Sequence, residues 1–290
     1  MDDLTSQELA TVLDLAERRE VPALLAGQGV GLLFEKPSAR TRNSMEIAVV
    51  QLGGHPVSIR GEEVGLGVRE SVNDLTRTLA SYHRVLGARV FDHATVEAMA
   101  AVDVVPVVNL LSDRAHPLQT LADLLTMRQR FKQLAGLTVA WVGDGNNVCN
   151  SLIIGAAMSR MHVRVATPPG FEPSSLAIEK ARDVGGRVFL TNDPAEATGV
   201  ADAVCTDVWA SMGQESEAEA RRSAFDGYMV SEALMDKANP GAIFLHCLPA
   251  HRGEEVAAEV IDGPDSLVWQ QAANRLHAAR GLLLFLLGVR

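Results

Sequence analysis

The stretch Val30-Gly31-Leu32-Leu33-Phe34-Glu35-Lys36-Pro37-Ser38-Ala39-Arg40-Thr41-Arg42 decides the fold. Val30 to Phe34 is a short unbroken apolar run, the pattern of a strand buried on both faces. A turn follows, and then Met45, Ala48, Val49 and Leu52 recur at the 3-4-7 spacing of one helix face. A strand that passes through a tight loop into a helix is the unit of a parallel α/β sheet. The loop also carries a chemical signal. Ser38, Thr41, Arg40 and Arg42 sit where the helix starts, among free backbone N–H groups and at the positive end of the helix dipole. Arginine forks suit phosphate oxygens bidentately. In a chain of formal net charge -10, the cluster Lys36, Arg40 and Arg42 points to a bound phosphate group. The plain alternative is a solvated helix start with surface arginines.

Outward from this unit the same pattern repeats. Thr5 and Glu8 have capping-box spacing, with Leu9, Val12, Leu13 and Ala16 on one face behind them, so the chain starts with a helix. Apolar runs suited to buried strands recur at 30–34, 56–59, 88–91, 104–108, 138–142, 162–166, 187–190, 203–206, 242–245 and 266–269. Helical segments separate most of them. Ten strands are wide for one sheet, and two sheets of four or five are expected. The predicted fold is α/β: two doubly wound parallel-sheet domains, 1–130 and 131–290, joined by a long helix at 117–133. Leu118, Leu121, Ala122 and Leu125 mark that helix. An apolar helix over about 272–290 packs back, the first domain being one candidate surface for it. Segment 211–223 is polar and reads as a loop running into a solvated helix.

Composition bounds the function classes. The chain has 290 residues, 47% hydrophobic and 21% charged, ordinary values for a soluble globular protein. Its acidic balance argues against nucleic-acid partners, which need basic surfaces. The opening Met1-Asp2-Asp3-Leu4 has no signal-peptide character, and the apolar stretch 282–287 is far too short for a bilayer, so no membrane partner is expected. Cys149, Cys205 and Cys247 form an odd set without paired spacing, which suits a reducing, cytoplasmic compartment.

Ligands of open α/β sheets bind beyond the carboxyl ends of strands, and the unusual polar groups all fall there. Arg89 belongs to the run 88–91. Run 104–108 leads to Asn109 and then His116-Pro117-Leu118-Gln119. Run 138–142 leads to Gly143-Asp144-Gly145-Asn146-Asn147-Val148. Run 203–206 leads to Asp207 and then Ser211-Met212-Gly213, and run 242–245 to His246-Cys247-Leu248-Pro249-Ala250-His251. Taken singly, each keeps a plain reading. His116 is a helix cap or a reactive group. Cys247 is an inert buried thiol or a nucleophile beside a histidine. Asp207 caps a turn or binds a ligand, and Arg275 is a surface residue or part of the site. His246 and His251 flanking Cys247 match no common zinc spacing, so no metal is expected. The glycine loop resembles a dinucleotide fingerprint, but Val148 stands where the third glycine belongs.

Together these pieces resemble the ornithine carbamoyltransferases of the aspartate/ornithine carbamoyltransferase family, almost end to end and in family order. The motifs are Phe-Glu-Lys-Pro-Ser-Ala-Arg-Thr-Arg, His-Pro-Leu-Gln-Thr-Leu-Ala-Asp, Gly-Asp-Gly-Asn-Asn-Val, Asp-Val-Trp-Ala-Ser-Met-Gly, His-Cys-Leu-Pro and Ala-Asn-Arg-Leu-His. The Asp-x-x-x-Ser-Met-Gly and His-Cys-Leu-Pro pieces point to ornithine rather than aspartate. The resemblance implies a carbamoyl phosphate-binding first domain, an ornithine-binding second domain and transfer to the δ-amine, giving citrulline and phosphate in arginine biosynthesis. It implies domain closure to align the reactants, a homotrimer or a multiple of trimers with sites at subunit interfaces, and no metal or organic cofactor. Position by position, it implies that Ser38, Arg40 and Thr41, with the Ala39 backbone, hold phosphate. Arg89, His116, Gln119 and Arg275 serve carbamoyl phosphate, and Cys247 and Leu248 line the reacting centre. Asn147, Asp207, Ser211 and Met212 bind ornithine. The residues implied in catalysis are Arg40, Arg89, His116, Cys247 and Arg275.

Two departures from the family pattern stand out. Ala39 replaces the first threonine of Ser-Thr-Arg-Thr-Arg, and Gly65 stands near a usual glutamine supplied to a neighbouring subunit. They keep open a non-catalytic paralogue that binds ligand without turnover; a second alternative, a carbamoyltransferase for another amine such as putrescine or an N-acylated ornithine, is opposed by the complete Asp207, Ser211-Met212-Gly213 set. A nicotinamide-dependent oxidoreductase rests only on the incomplete glycine loop.

Overall fold

A computed structural model of the chain describes residues 1, 3–65, 69–210 and 218–290. Helix α1 (Ser6–Glu17) precedes β1 (Gly29–Phe34), α2 (Ala39–Gln51), β2 (His55–Arg60), α3 (Gly61–Val64) and α4 (Val72–Ala80). Then come β3 (His83–Arg89), α5 (His93–Ala100), β4 (Val107–Leu111) and the long α6 (Pro117–Phe131). The second half runs β5 (Thr138–Val142), α7 (Asn147–Met158), β6 (His162–Ala166), α8 (Ser175–Asp183), β7 (Val188–Thr191), α9 (Pro194–Thr198) and β8 (Ala203–Thr206). Helices α10 (Ala218–Ala224) and α11 (Glu232–Met235), strand β9 (Ile243–His246), and helices α12 (Ala258–Ile261) and α13 (Val268–Leu286) complete it.

The strands form two wholly parallel sheets, ordered β2-β1-β3-β4 and β7-β6-β5-β8-β9. In each, the chain winds one way from a central strand and then the other. The order reverses between β1 and β3 in the first sheet and between β5 and β8 in the second. At such a switch point the flanking loops part, and a crevice opens at the carboxyl ends of the strands. Two compact units result: residues 10–122 with 274–290, and residues 1–9 with 123–273. The break falls inside α6, and most of α13 clusters with the unit that carries the first sheet.

The hydrophobic pattern explains most of these elements. Met45, Ala48, Val49 and Leu52 are all buried, as their spacing requires. The capping box at α1 is formed: Thr5 N–H donates to Glu8 at 2.8 Å and Glu8 N–H to the Thr5 hydroxyl at 3.2 Å. One expected strand is corrected. The run 266–269 makes only an isolated bridge, Ser266 beside Phe244, before α13 begins at Val268. A short apolar run reads alike as strand or helix start. Two others are displaced: the run 88–91 belongs to a strand ending at Arg89, and 104–108 to one spanning Val107–Leu111. In the second unit Phe225, fully buried, stacks on Trp209 at 5.6 Å between ring centroids and meets Phe171 edge-on at 4.8 Å. That aromatic cluster anchors the segment just after Asp207; burying one such ring stabilises by roughly 1.5–3 kcal/mol.

Among the described residues no helix is long and apolar enough to cross a membrane.

Candidate active site

The first switch point lies where β1 runs into α2 beside the end of β3. Ser38 caps α2, its side chain accepting from Thr41 N–H at 3.3 Å. Thr41 is buried, and its hydroxyl oxygen accepts from Arg275 Nη2 at 3.0 Å and from Arg89 Nη1 at 3.4 Å. Arg275 Nη1 also donates to the side-chain Oε1 of Gln119, in the first turn of α6. Arg89 and Arg275 are 5% and 4% exposed; two guanidinium groups held this far from water mark a place made for negative charge. His116, also buried, precedes Pro117 at the head of α6. Burial first, and then the charges of Arg275, Arg89 and Arg40, hold its imidazole well below the usual histidine range. It is therefore neutral near pH 7: a hydrogen-bond donor, and a weak base.

Ser38, Arg40, Thr41, Arg89, His116, Gln119 and Arg275 thus all belong to one unit. Arg40 and Ala39 are exposed at the start of α2. The other two cations singled out with Arg40 are engaged elsewhere. Arg42 pairs with Glu46 at 2.8 Å, and Lys36 lies over the Phe91 ring at 4.2 Å. Gly65 has an identifiable reason. Its φ is +57°, at the end of α3, and a Cβ there would come within 2.7 Å of the Arg69 side chain. A glutamine at Gly65 would need a different turn.

The second switch point joins the ends of β5 and β8. The Thr206 hydroxyl donates to Val142 O, stapling the two strands where Asp207 emerges. Asp207 is buried and meets three donors. Oδ1 accepts from Val208 N–H at 2.8 Å and from the Cys247 thiol at 2.9 Å, and Oδ2 from the Asn146 amide at 2.9 Å. A carboxylate has about four acceptor sites, so one remains for an incoming N–H. Asn146 is also the N-cap of α7, its Oδ1 accepting from Val148 and Cys149 N–H. Asp144, at 9% exposure, pairs with Arg221 at 2.9 Å, and Arg221 donates as well to Trp209 O. Burial raises the Asp144 carboxyl to about 6 against the opposing pull of Arg221. Gly145 packs against its own chain: a Cβ there would lie 2.3 Å from Pro173 N. Glycine at 145 is thus explained by close packing of the chain on itself, without a bound dinucleotide.

The loop after β9 completes this half. His246 Nδ1 accepts from Leu248 N–H at 2.8 Å, and its Nε2 faces buried Glu255 at 3.2 Å. Nε2 therefore carries the proton. Leu248 adopts φ +59°, a left-handed conformation that side chains avoid, and the His246 contact holds it there. Asp207, Cys247 and Leu248 come together in this unit, with Asn147 half-buried at the first turn of α7. Ser211 and Met212 lie outside the described residues. Sequence reasoning placed Asp144, Asn146 and His246 in strand-end motifs without giving them the partners seen here, and it missed Arg221 and Glu255, which left no signal.

Comparison with known proteins matches the two halves of the chain separately. Residues 1–129 match the family model described as the carbamoyl-P binding domain of aspartate/ornithine carbamoyltransferase, and residues 135–286 the Asp/Orn binding domain. The ornithine carbamoyltransferase of Thermus thermophilus is 51% identical, the match covering 97% of this chain and 93% of that protein. That of Carboxydothermus hydrogenoformans is 48% identical over 99% and 96%. The solved structure of ornithine carbamoyltransferase from Pyrococcus furiosus superposes with a TM-score of 0.95 at 43% identity, covering 100% of this chain and 96% of that one. With both of its domains matched and full-length relatives at 48% and 51% identity, the chain belongs to the aspartate/ornithine carbamoyltransferase family.

Proposed function

We propose that the chain is an ornithine carbamoyltransferase, moving the carbamoyl group of carbamoyl phosphate to the δ-amine of L-ornithine to give L-citrulline and phosphate. The observation that carries this is the capped start of α2, with buried Arg89 and Arg275 converging on Thr41 and neutral His116 in the same unit. Ser38, Arg40, Thr41 and the Ala39 backbone hold the phosphate. Arg89, His116, Gln119 and Arg275 face the carbamoyl end. The amine lone pair attacks the carbonyl carbon, negative charge grows on the carbonyl oxygen, the C–O bond to phosphate breaks, and the proton shed by the attacking nitrogen ends on the departing phosphate. His116 donates to that oxygen, and the arginines stabilise the oxygen and the leaving phosphate. One fixed donor of this kind is worth about 3 kcal/mol.

The other half supports an amine-bearing amino acid. An aspartate substrate would bring a second carboxylate beside Asp207, and like charges at that range repel. An ammonium or amine finds there the free acceptor site on Asp207 and the Cys247 sulfur. Cys247 positions the amine rather than bonding to carbon: its thiol proton is committed to Asp207. Ser211 and Met212 complete recognition of the α-amino and α-carboxylate groups in this reading, with Asn147. A citrulline-forming assay with ornithine, putrescine and aspartate side by side tests the assignment. Turnover with ornithine alone supports it; a preference for putrescine or aspartate, or binding without turnover, overturns it.

We also infer a role in arginine biosynthesis, a cytoplasmic setting and a homotrimer or multiple of trimers. An odd count of three cysteines, without paired spacing, supports the reducing setting. Ile47 and Val50, exposed on α2, are apolar surface that an assembly would cover. Analytical ultracentrifugation showing a monomer would remove the trimer.

A further inference from the structure

His93 is outside every residue assigned above, yet its ring is tied to the turn that delivers His116. The chain leaves β4 at Leu111, turns over 112–115 and enters α6 through His116. Ser112, fully buried, organises that turn. Its N–H donates to Ala115 O at 2.9 Å. Its hydroxyl oxygen accepts from Ala115 N–H at 3.3 Å and from the Asn109 amide at 3.2 Å. Those donors fill the ~2 lone pairs of a hydroxyl oxygen, leaving its proton to place. His93 Nδ1 faces that hydroxyl at 2.7 Å, well inside the 3.5 Å to the Ala115 carbonyl. On the far side of the ring, Nε2 faces Glu97 Oε1 at 3.4 Å. A carboxylate there draws the ring proton to Nε2 and leaves Nδ1 as an acceptor. Arg114, in the turn itself, holds the same carboxylate at 3.0 Å. The backbone repeats the link: His93 N–H donates to Asp113 Oδ1 at 2.9 Å, and Asp113 N–H donates to Phe91 O at 3.0 Å.

We propose that His93 is a positioning residue: by accepting the Ser112 hydroxyl proton it fixes the 112–115 turn and, through it, the placement of the His116 ring. The inference rests on the reading of His116 as the donor to the carbamoyl oxygen. A ring carried by a turn with one loose hydrogen bond samples more than one position, and a misplacement of about 1 Å costs on the order of 100-fold in rate. Asn109, Ser112 and Ala115 fix the turn from the β4 side; His93 and Glu97 fix it from α5.

Two polar substitutions separate positioning from packing. His93→Asn keeps an acceptor near the place of Nδ1. His93→Gln sets its amide one bond farther out, toward Glu97, and gives up Ser112. Citrulline formation, both KM values and thermal melting are measured for these, for wild type and for His116→Ala. His93→Asn is expected within about 3-fold of the wild-type kcat and His93→Gln about 10-fold or more below it, with ornithine KM within about 2-fold and melting unchanged. In the double variant His93→Gln/Ser112→Ala, the rate should be no lower than in Ser112→Ala alone, because the two act on one hydrogen bond. Equal activity of the Asn and Gln variants, a multiplicative double variant, or losses that follow melting temperature alone would each overturn the proposal. The controls separate the levels. Inactive His116→Ala with fully active His93→Gln removes only the positioning role, whereas active His116→Ala removes the site reading and this inference with it.

Discussion

The two switch points are the same topological device carrying opposite charge. At the first, three arginines and a histidine kept neutral by burial and by their charges stand about a helix start. At the second, Asp207 and Asp144 stand at the strand ends, Asp207 met by an amide, a backbone N–H and a thiol, and Asp144 by Arg221. The fold fixes where a ligand sits, and the side chains fix which ligand it is. The first point suits an anion with spread negative charge. The second suits a nitrogen carrying N–H bonds. The neutrality of His116 has two causes: burial first disfavours a charged imidazole, and a fourth positive charge among the arginines would be repelled as well.

The most severe way to break this comparison is to remove a cation from the first point. Arg40 is exposed, so Arg40→Ala should leave melting unchanged. Turnover should fall by about 100- to 1,000-fold, the usual cost of one transition-state donor. A near-normal rate would mean that the helix start is not the phosphate site.

The next test acts at the second point. Asp207→Ala should raise ornithine KM by roughly 10- to 100-fold, the value of a hydrogen bond to a charged group, and leave carbamoyl phosphate KM within about 2-fold. Equal effects on both substrates would erase the division of labour between the two units.

What the sequence disclosed follows the same division. Periodicity and capping are local, so the strand–loop–helix unit, the α1 capping box and the buried face of α2 were legible from it. Motif residues on the ends of strands were legible too, because an unusual polar group after an apolar run stands out. Groups whose role depends on a distant partner were not. Glu255 follows Glu254 and reads as a solvated acid, although it is buried against His246, nine positions earlier. Asn146 and Asn147 are chemically identical, and only backbone geometry makes the first the cap and the partner of Asp207. His93 gave no signal, since Ser112 is nineteen residues away and reaches it only because β3 and β4 are neighbours.

A smaller effect sharpens the second point. Asp144 is raised to about 6, so it is ionised above that pH and takes up a proton as pH falls through it. Protonation weakens the tie to Arg221, which also holds Trp209 O two residues beyond Asp207. The ornithine KM of the wild type should therefore rise several-fold between about pH 7 and pH 5 by this route, on top of amine protonation. Asp144→Asn should already show the higher KM at pH 7 and a flatter rise below it. Identical pH profiles for the two proteins would make the Asp144–Arg221 pair irrelevant to ornithine.

The smallest expected effect is a gain. Ala39 is the first residue of α2 and is exposed, so a larger side chain fits without repacking. Ala39→Thr adds a hydroxyl beside the phosphate cradle. Its cost is the lower helix propensity of a β-branched residue, a few tenths of a kcal/mol at most in the first turn. Its benefit is one more hydrogen bond in a cradle whose guanidinium and N–H groups already serve the charge, so the ordinary net value of about 1 kcal/mol applies, or roughly 5-fold in carbamoyl phosphate KM. The hydroxyl meets the phosphate before and during transfer alike, so the gain is uniform binding and kcat should move less than about 2-fold. Ornithine KM should stay where it is, since the added donor touches only the anionic ligand. An unchanged carbamoyl phosphate KM would mean that the backbone N–H groups and guanidinium groups already saturate the phosphate oxygens. The chain would then have lost the hydroxyl at Ala39 without consequence, because the cationic point, unlike the anionic one with its single open acceptor on Asp207, holds more donors than its ligand can use.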